Sequence, residues 1–464
     1  MTPAMPRQRY ANLDALRAIA ALAVMVEHML GDLLRQAPSA TGPVSTLAQS
    51  VVQNLSLGRF GVVLFFLISG FVVPFSIGGE QPLRLFAVSR LFRLYPAYWL
   101  ALAALSTAAW FLGDMPGTAA VLANLTMAPP LFGQPWLSPI HWTLFVELLF
   151  YLFVALLFAA GRLRHVGTLL GLGLALIVAT VLPAQLNLHG IAKLPTQYLG
   201  MHLSFLFLGL LLRLWLVERV RGACLAALAL ALVQFAALLL VAQFSLARGD
   251  NFVMEGLTPV LSAYALAFAA FLAALRLERP RSLLLARIGL VSYSMYLFHG
   301  TVNALVYRTL PLTGQLADIA TMLVCVGATL LLSWLVYRTV ERPMIALGYR
   351  ISPRRDASLA RLSWHAEALQ GRAEWRDSLI DAPVSIRDSL PHPPSDYRTA
   401  RHRDGRSSLR KTGPALAGIA VEAAPEIHVN EKLVGALLGV AIVAALLSWF
   451  ALLGYLGWKI AESL

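Results

Sequence analysis

Several residues suited to acid–base chemistry and anion binding stand inside apolar stretches of this 464-residue chain. A charged side chain in the middle of a membrane helix costs roughly 2.5–3.5 kcal/mol on insertion scales, so such residues need a reason to be there. The first apolar stretch holds Asp14, Arg17, Glu27 and His28. At 100° per residue, Arg17 and His28 fall within about 20° of each other on a helix, about 16 Å apart along its axis. Asp14 lies within about 40° of His28 on the same side. Ala18, Ala21, Val24 and Met25 run between them and are mostly small or flexible. The pattern predicts a narrow stripe with polar ends that faces a cavity. An arginine snorkelling to lipid phosphates and a histidine bonded to a neighbouring helix would give the same text.

Four further strings carry polar groups. Arg90 and Arg93 stand at i, i+3, where two guanidinium groups can grip one anion through charge-assisted bonds. The string Trp142-Thr143-Leu144-Phe145-Val146-Glu147 puts a carboxylate in an apolar helix, with Tyr151 one turn on. Glu147 there needs a proton or a partner, and serves either by pairing with an arginine or by steering a histidine. In Ser292-Tyr293-Ser294-Met295-Tyr296-Leu297-Phe298-His299, Tyr296 and His299 share a face. Glu341-Arg342-Pro343 is expected to be a helix terminus with a local ion pair. Walker A, GxGxxG, HExxH and GxSxG patterns are all missing, which argues against nucleotide-driven transport and against the common hydrolase elbow.

The elements that position these residues are helices in lipid. Hydrophobic residues make up 58% of the chain and charged residues 13%, and mean hydropathy is +0.69. A soluble domain carries nearer a quarter charged residues, so this composition excludes a soluble enzyme, a disordered protein and a disulfide scaffold. The fold class expected is an all-α polytopic membrane protein: a ten-helix transmembrane bundle plus one C-terminal transmembrane helix. The spans fall near 13–34, 58–77, 94–113, 139–160, 166–184, 198–217, 222–244, 256–275, 285–307, 316–338 and 433–457. Residues 118–132, broken by Pro129-Pro130, read as a re-entrant or interfacial piece. The first stretch is read as a retained helix rather than a signal peptide, because it is long and contains Glu27 and His28.

Net charge is +13, but the basic residues sit between apolar runs, which speaks against nucleic acid as a partner. With the N-terminus in the cytoplasm, the inner loops collect Arg7 and Arg9, Arg84, Arg90 and Arg93, Arg162 and Arg164, Arg213, Arg219 and Arg221, and the arginines from Arg276 to Arg287. The outer loops keep only Arg35, Arg59, Lys193, Arg248 and Arg308. Three regions follow: a membrane domain at 1–343, an Arg-rich cytoplasmic linker at 344–432, and the extra helix within 433–464. The linker is expected to hold an amphipathic helix at 357–380 and a Pro- and Ser-rich disordered stretch at 383–414. Cys224 and Cys325 lie in apolar runs without disulfide or zinc spacing, and no metal site is expected.

Taken in order, these strings resemble the acyltransferase-3 family of membrane trans-acylases. The matching text is Asn12 to Leu22 running on to His28, which fits an Arg-x10-His signature; Phe65-Phe66-Leu67-Ile68-Ser69-Gly70-Phe71; Arg90 and Arg93; Trp142 to Glu147; and Ser292 to His299. The resemblance covers about residues 10–343. It implies a multi-pass protein of the bacterial inner membrane that moves an acyl group, usually acetyl, from cytoplasmic acyl-CoA to a hydroxyl of a glycan or glycoconjugate. The partners implied are acyl-CoA, that acceptor and the lipid bilayer, with acyl-CoA a donor substrate and no permanently bound cofactor. His28 is then the catalytic residue, with Glu147 beside it in the catalytic set, and Arg17, Arg90 and Arg93 hold the acyl-CoA. Asp14, Tyr296 and His299 are supporting candidates, and either Glu147 or Asp14 orients the imidazole. The pantetheine arm is expected to thread along the small-residue stripe to His28, which acts as general base or forms an acyl-histidine. This chain departs from many relatives in having Leu148 where they carry a second acid. The rival reading is a transporter or flippase for a lipid-linked sugar or small solute, its polar residues lining a path.

Overall fold

The computed structural model describes residues 7–351, apart from 79–80, 195, 250–251, 253–255 and 278–281. All of these belong to one compact unit, Met1–Arg355. The expected amphipathic helix at 357–380, the stretch at 383–414 and the helix at 433–457 lie outside the described residues. Within them, every regular element is helical: α1 (Arg7–Gln36), α2 (Pro43–Asn54), α3 (Leu57–Val72), α4 (Pro82–Leu112), α5 (Thr118–Asn124), α6 (Trp142–Ala159), α7 (Val166–Leu188), α8 (Leu199–Leu216), α9 (Ala223–Arg248), α10 (Leu257–Arg276), α11 (Leu283–Leu290), α12 (Ser292–Thr309), α13 (Ala317–Val336) and α14 (Arg342–Ile351).

Among the described residues, six helices are long and apolar enough to cross a membrane: α6, α7, α8, α9, α10 and the run Ala317–Ile351. A seventh counts if α2 and α3, bent by 48°, form one span. The protein is therefore a multi-pass membrane protein. The other expected spans fall short of that measure for identifiable reasons. α1 carries Asp14, Arg17, Glu27, Asp32 and Arg35, and α4 is diluted beyond its arginines by Tyr95, Pro96, Tyr98 and Trp99. The stretch expected at 285–307 is divided at Val291 into α11 and α12. Residues 118–132 form α5 and a 3-10 turn at Pro129–Phe132, too short to cross.

α1 packs most extensively against α11 and α3, and also meets α12 and α2. Small residues set these close approaches. A Cβ on Gly61 of α3 would stand 2.4 Å from the Ala20 carbonyl oxygen, and one on Gly289 of α11 would stand 1.9 Å from that of Asp14. The α3–α8 crossing is built the same way, since a Cβ on Gly70 would stand 2.0 Å from the Leu206 carbonyl oxygen. Here backbones touch because a side chain is missing, and the dispersion gained substitutes for a hydrophobic force that lipid does not supply.

The charges of α1 divide by role. Glu27 serves the fold: its Oε2 accepts from the backbone N–H of Leu57 at 3.0 Å and its Oε1 from the Ser56 hydroxyl at 3.2 Å. A carboxylate there meets the positive end of α3 and satisfies an N–H that the helix cannot. Glu341 does not pair with Arg342 as expected. A π-turn at Tyr337–Glu341 carries it inward, where it is buried and accepts a hydrogen bond from the Ser294 hydroxyl. Neighbours at i, i+1 point to different sides of a helix, so the expected local pair had no geometric basis. The helix does not end at Glu341 but runs on past the π-turn as α14, which packs along α4 with Gly348 close against Phe92.

Candidate active site

α1, α3, α4, α6 and α12 surround a cavity of about 250 Å³. One face of α3 lines it: Val62, Phe65, Phe66, Ser69 and Val72 recur at helical spacing, with Val73 just beyond the helix. From the other helices come Arg17, Arg90, Arg93, Leu94, Thr143, Leu144, Glu147, Tyr151, Ser292, Tyr293 and Tyr296. The three arginines singled out by spacing thus meet in one place, although they come from two helices.

Each guanidinium is held differently. Arg17 is half-buried and bonded to Asp14 at 2.8 Å, one turn back on α1, and lies within electrostatic reach of Arg93 and Glu147. Arg90 donates to the Ser76 hydroxyl at 2.7 Å and stands over the rings of Phe86 and Tyr151, at 5.3 and 5.5 Å from their centroids. Arg93 is the most exposed of the three and faces the buried Glu341 carboxylate within electrostatic reach. Glu147 accepts hydrogen bonds from Ser69 at 3.1 Å and from the Tyr151 hydroxyl. The site therefore concentrates positive charge, with one lining carboxylate already engaged by two hydroxyls. That arrangement suits a multiply charged anion.

Tyr296 lines the cavity, whereas His299 and His28 do not. The Tyr296 hydroxyl is 2.8 Å from the Thr143 hydroxyl and donates to the Ile140 carbonyl at 3.0 Å. Val24, Ile140 and Tyr296 form a small buried cluster with Val62 and Phe65 packed against it. Phe65 meets the Tyr296 ring edge-on at 5.9 Å. Beyond this layer stand two imidazoles. His299 is fully buried and its ring centroid lies 6.1 Å from that of Tyr296. Its Nε2 is 3.2 Å from Nδ1 of His28, and the two ring centroids are 4.9 Å apart. His28 Nδ1 is also 2.8 Å from the Val24 carbonyl oxygen, and His28 keeps partial exposure.

Two expectations are corrected here. The stripe of Ala18, Ala21, Val24 and Met25 does not face open space. All four are buried, pressed among neighbouring helices by the close contacts described above. None of the four lines the cavity, and neither does His28. Nor does either expected carboxylate orient the imidazole. Asp14 is bonded to Arg17, and Glu147 belongs to the arginine cavity; among the described residues neither is hydrogen-bonded to His28. The group that touches His28 is His299.

Other members of the site lacked a signal of their own. Ser76, which holds Arg90, lies in a short 3-10 turn after α3. His141, buried just before α6 with its ring 5.1 Å from that of Tyr98, does not line the cavity but lies within electrostatic reach of His299, and it reads in the text as one loop residue among several. Among the described residues no group of three or more His, Cys, Asp and Glu side chains is placed to hold a metal ion.

A cavity lined by three arginines beside a hydrogen-bonded aromatic cluster, with a partly exposed imidazole next to it, has the chemistry to hold a charged donor and present a base to a second substrate. Comparison with curated proteins and with solved structures gives no match. A family model described as an acyltransferase domain matches residues 10–338, which contain every residue of the cavity and of the imidazole pair. The chain belongs to this acyltransferase-3 family.

Proposed function

We propose that the protein transfers an acyl group, acetyl in the first instance, from acyl-CoA to a hydroxyl of a glycan or glycoconjugate at the bacterial inner membrane. The observation that carries this reading is the convergence of Arg17, Arg90 and Arg93 on a cavity lined by Tyr296, whose ring adjoins the His299–His28 pair. CoA carries its negative charge on phosphates at one end and its thioester at the other. The arginines suit the first and the imidazole suits the second. A cavity of about 250 Å³ is at the small end of ligand sites, so it takes part of such a donor rather than the whole. The topology that goes with this reading has ten spans, with α1, α3, α4 and the α11–α12 pair crossing alongside the longer helices, and the N-terminus in the cytoplasm.

In the proposed reaction the acceptor oxygen attacks the thioester carbonyl as His28 takes the hydroxyl proton. The carbon–sulfur bond breaks, and the same proton passes to the departing CoA sulfur. Glu147 organises the arginine cavity rather than the imidazole. The transporter reading finds no support in the cavity, whose lining does not include His28.

The experiment is CoA release by purified protein in lipid nanodiscs given acetyl-CoA and candidate glycans, with acetyl ester detected on the acceptor. Transfer is expected, and His28→Ala should abolish it while leaving CoA binding intact. Full transfer by that variant would remove His28 from the reaction, and the absence of transfer from any acyl-CoA would end the proposal.

A further inference from the structure

The bonds around His299 fix more than its position. Its Nδ1 lies 2.8 Å from the Tyr296 carbonyl oxygen and 3.1 Å from that of Met295. A carbonyl oxygen only accepts, so Nδ1 of His299 carries the proton. In the neutral ring, Nε2 is then a lone pair, aimed at Nδ1 of His28 across 3.2 Å. His28 Nδ1 in turn faces two acceptors, that lone pair and the Val24 carbonyl at 2.8 Å. It must therefore carry a proton itself, which leaves the lone pair of His28 on Nε2. Among the described residues nothing is bonded to that nitrogen.

We propose that His299 is a positioning residue that, together with the Val24 carbonyl, fixes the tautomer and ring orientation of His28, a task often given to a carboxylate. Two backbone carbonyls of α12 hold His299 as an acceptor, and His299 acts with the Val24 carbonyl to hold His28 as an Nδ1–H imidazole with Nε2 free to take a proton. The inference rests on the acyl-transfer reading above. In that reaction the acceptor's O–H proton moves to Nε2 of His28, the new carbon–oxygen bond forms, the carbon–sulfur bond of the acyl-CoA breaks, and Nε2 returns the proton to the thiolate. While His28 is an imidazolium, its Nδ1–H donates to a neutral partner whose dipole already points the right way, so no reorganisation is needed at the moment of transfer. His299 does not touch the reacting atoms. A neutral partner has a further advantage in a bilayer: it places no second charge in a low-dielectric site, where an uncompensated one is costly.

The test compares His299→Gln, whose side-chain oxygen can still accept from His28, with His299→Leu, which offers no acceptor. His299→Leu should lower kcat by about a hundredfold, within the range of a misplaced general base, with KM for acetyl-CoA and CoA affinity little changed. His299→Gln should restore kcat to within about tenfold of the parent. Independently of activity, the nitrogen NMR signals of His28 in 15N-histidine-labelled protein, assigned through His28→Ala, should show protonated Nδ1 and bare Nε2 in the parent, and a measurable fraction of the Nε2–H form in His299→Leu, where the Val24 carbonyl alone is left to hold the proton on Nδ1. An unchanged kcat in His299→Leu, an equal loss in His299→Gln with CoA binding intact, or an Nε2–H tautomer in the parent would overturn the proposal. The NMR result stands apart from the reaction: the expected tautomer in a protein that transfers no acyl group would sink the proposed function and leave the histidine pair as described.

Discussion

Arg90 offers a sharp test of whether the cavity binds the donor. It lies half-buried on α4, anchored by Ser76 and stacked over Phe86 and Tyr151. Those contacts leave the guanidinium fixed while its remaining N–H donors are available to a ligand. Arg90→Ala removes at least one charge-assisted hydrogen bond to a donor phosphate, worth about 1.5–3 kcal/mol. At 1.4 kcal/mol per decade this is roughly a ten- to hundredfold rise in KM for acyl-CoA. The proper control is Arg84, six residues earlier on the same helix, exposed and bonded to the side chain of Gln81 at 3.2 Å. If Arg84 and Arg90 act merely as a basic surface that attracts anions, both variants shift KM by a similar small factor, and salt erases it. If Arg90 is a built contact, only its variant shifts KM strongly, and the shift persists at 0.3–0.5 M salt, conditions roughly beyond long-range steering. The assay is steady-state CoA release against acetyl-CoA concentration at fixed acceptor, with calorimetric CoA binding as a check. Equal effects from the two variants, or an unchanged KM for Arg90→Ala, would refute the reasoning.

Three other perturbations follow from the geometry. Glu147→Leu strands the Ser69 and Tyr151 hydroxyls and should lower thermal stability by about 1–3 kcal/mol, whereas Glu147→Gln keeps an acceptor and should melt close to the parent; equal melting of the two variants would contradict these bonds. Gly70→Ala forces a Cβ into the Leu206 carbonyl and should sharply reduce the monodisperse yield on size exclusion, while Gly171→Ala, whose Cβ would meet nothing within 4 Å, should be neutral or mildly stabilising. Tyr296→Phe removes two hydrogen bonds from the layer beside the cavity, each worth about 1 kcal/mol, and should raise acyl-CoA hydrolysis in the absence of acceptor several-fold; an unchanged hydrolysis rate would show that the layer does not depend on that hydroxyl.

The residues of the site were legible in the text, but what they face was not. Period and polarity placed Arg17, Arg90, Arg93 and Glu147, and all four line the cavity. The same period placed Ala18 and Ala21 on the special face of α1 but could not say whether that face met space or another helix. The glycines that meet α1, Gly61 against Ala20 and Gly289 against Asp14, are far away in sequence, and only their missing side chains reveal that backbones touch there. Glu27 looked like one more buried charge because its partner is the N-terminus of a different helix. α2 was hidden for another reason. It is short and rich in Ser, Gln and Asn, and buries only the stripe of Val44, Ser45, Ala48 and Val52, so no hydropathy window marks it. The break at Val291 is likewise silent, since both sides of it are apolar and helical.

The spacings inside the motifs acquire a physical meaning from the Tyr296 layer. Three helices each place one residue in the cavity and another at or beyond the layer. On α1 these are Arg17 and His28, about 16 Å apart along the axis; on α12, Ser292 and His299, about 10 Å; on α6, Glu147 and Thr143, about 6 Å. Each pair lies within about 40° of one face. A rotation of any one helix therefore withdraws both of its residues together, one from the anion site and one from the layer or the imidazole pair. A small change in packing far from the chemistry, such as a side chain at Gly61 or Gly289 against α1, would disturb donor binding and base geometry at once. The coupling is one reason for small residues at the α1 contacts: they fix the rotation of the one helix that carries both a guanidinium of the cavity and the exposed imidazole.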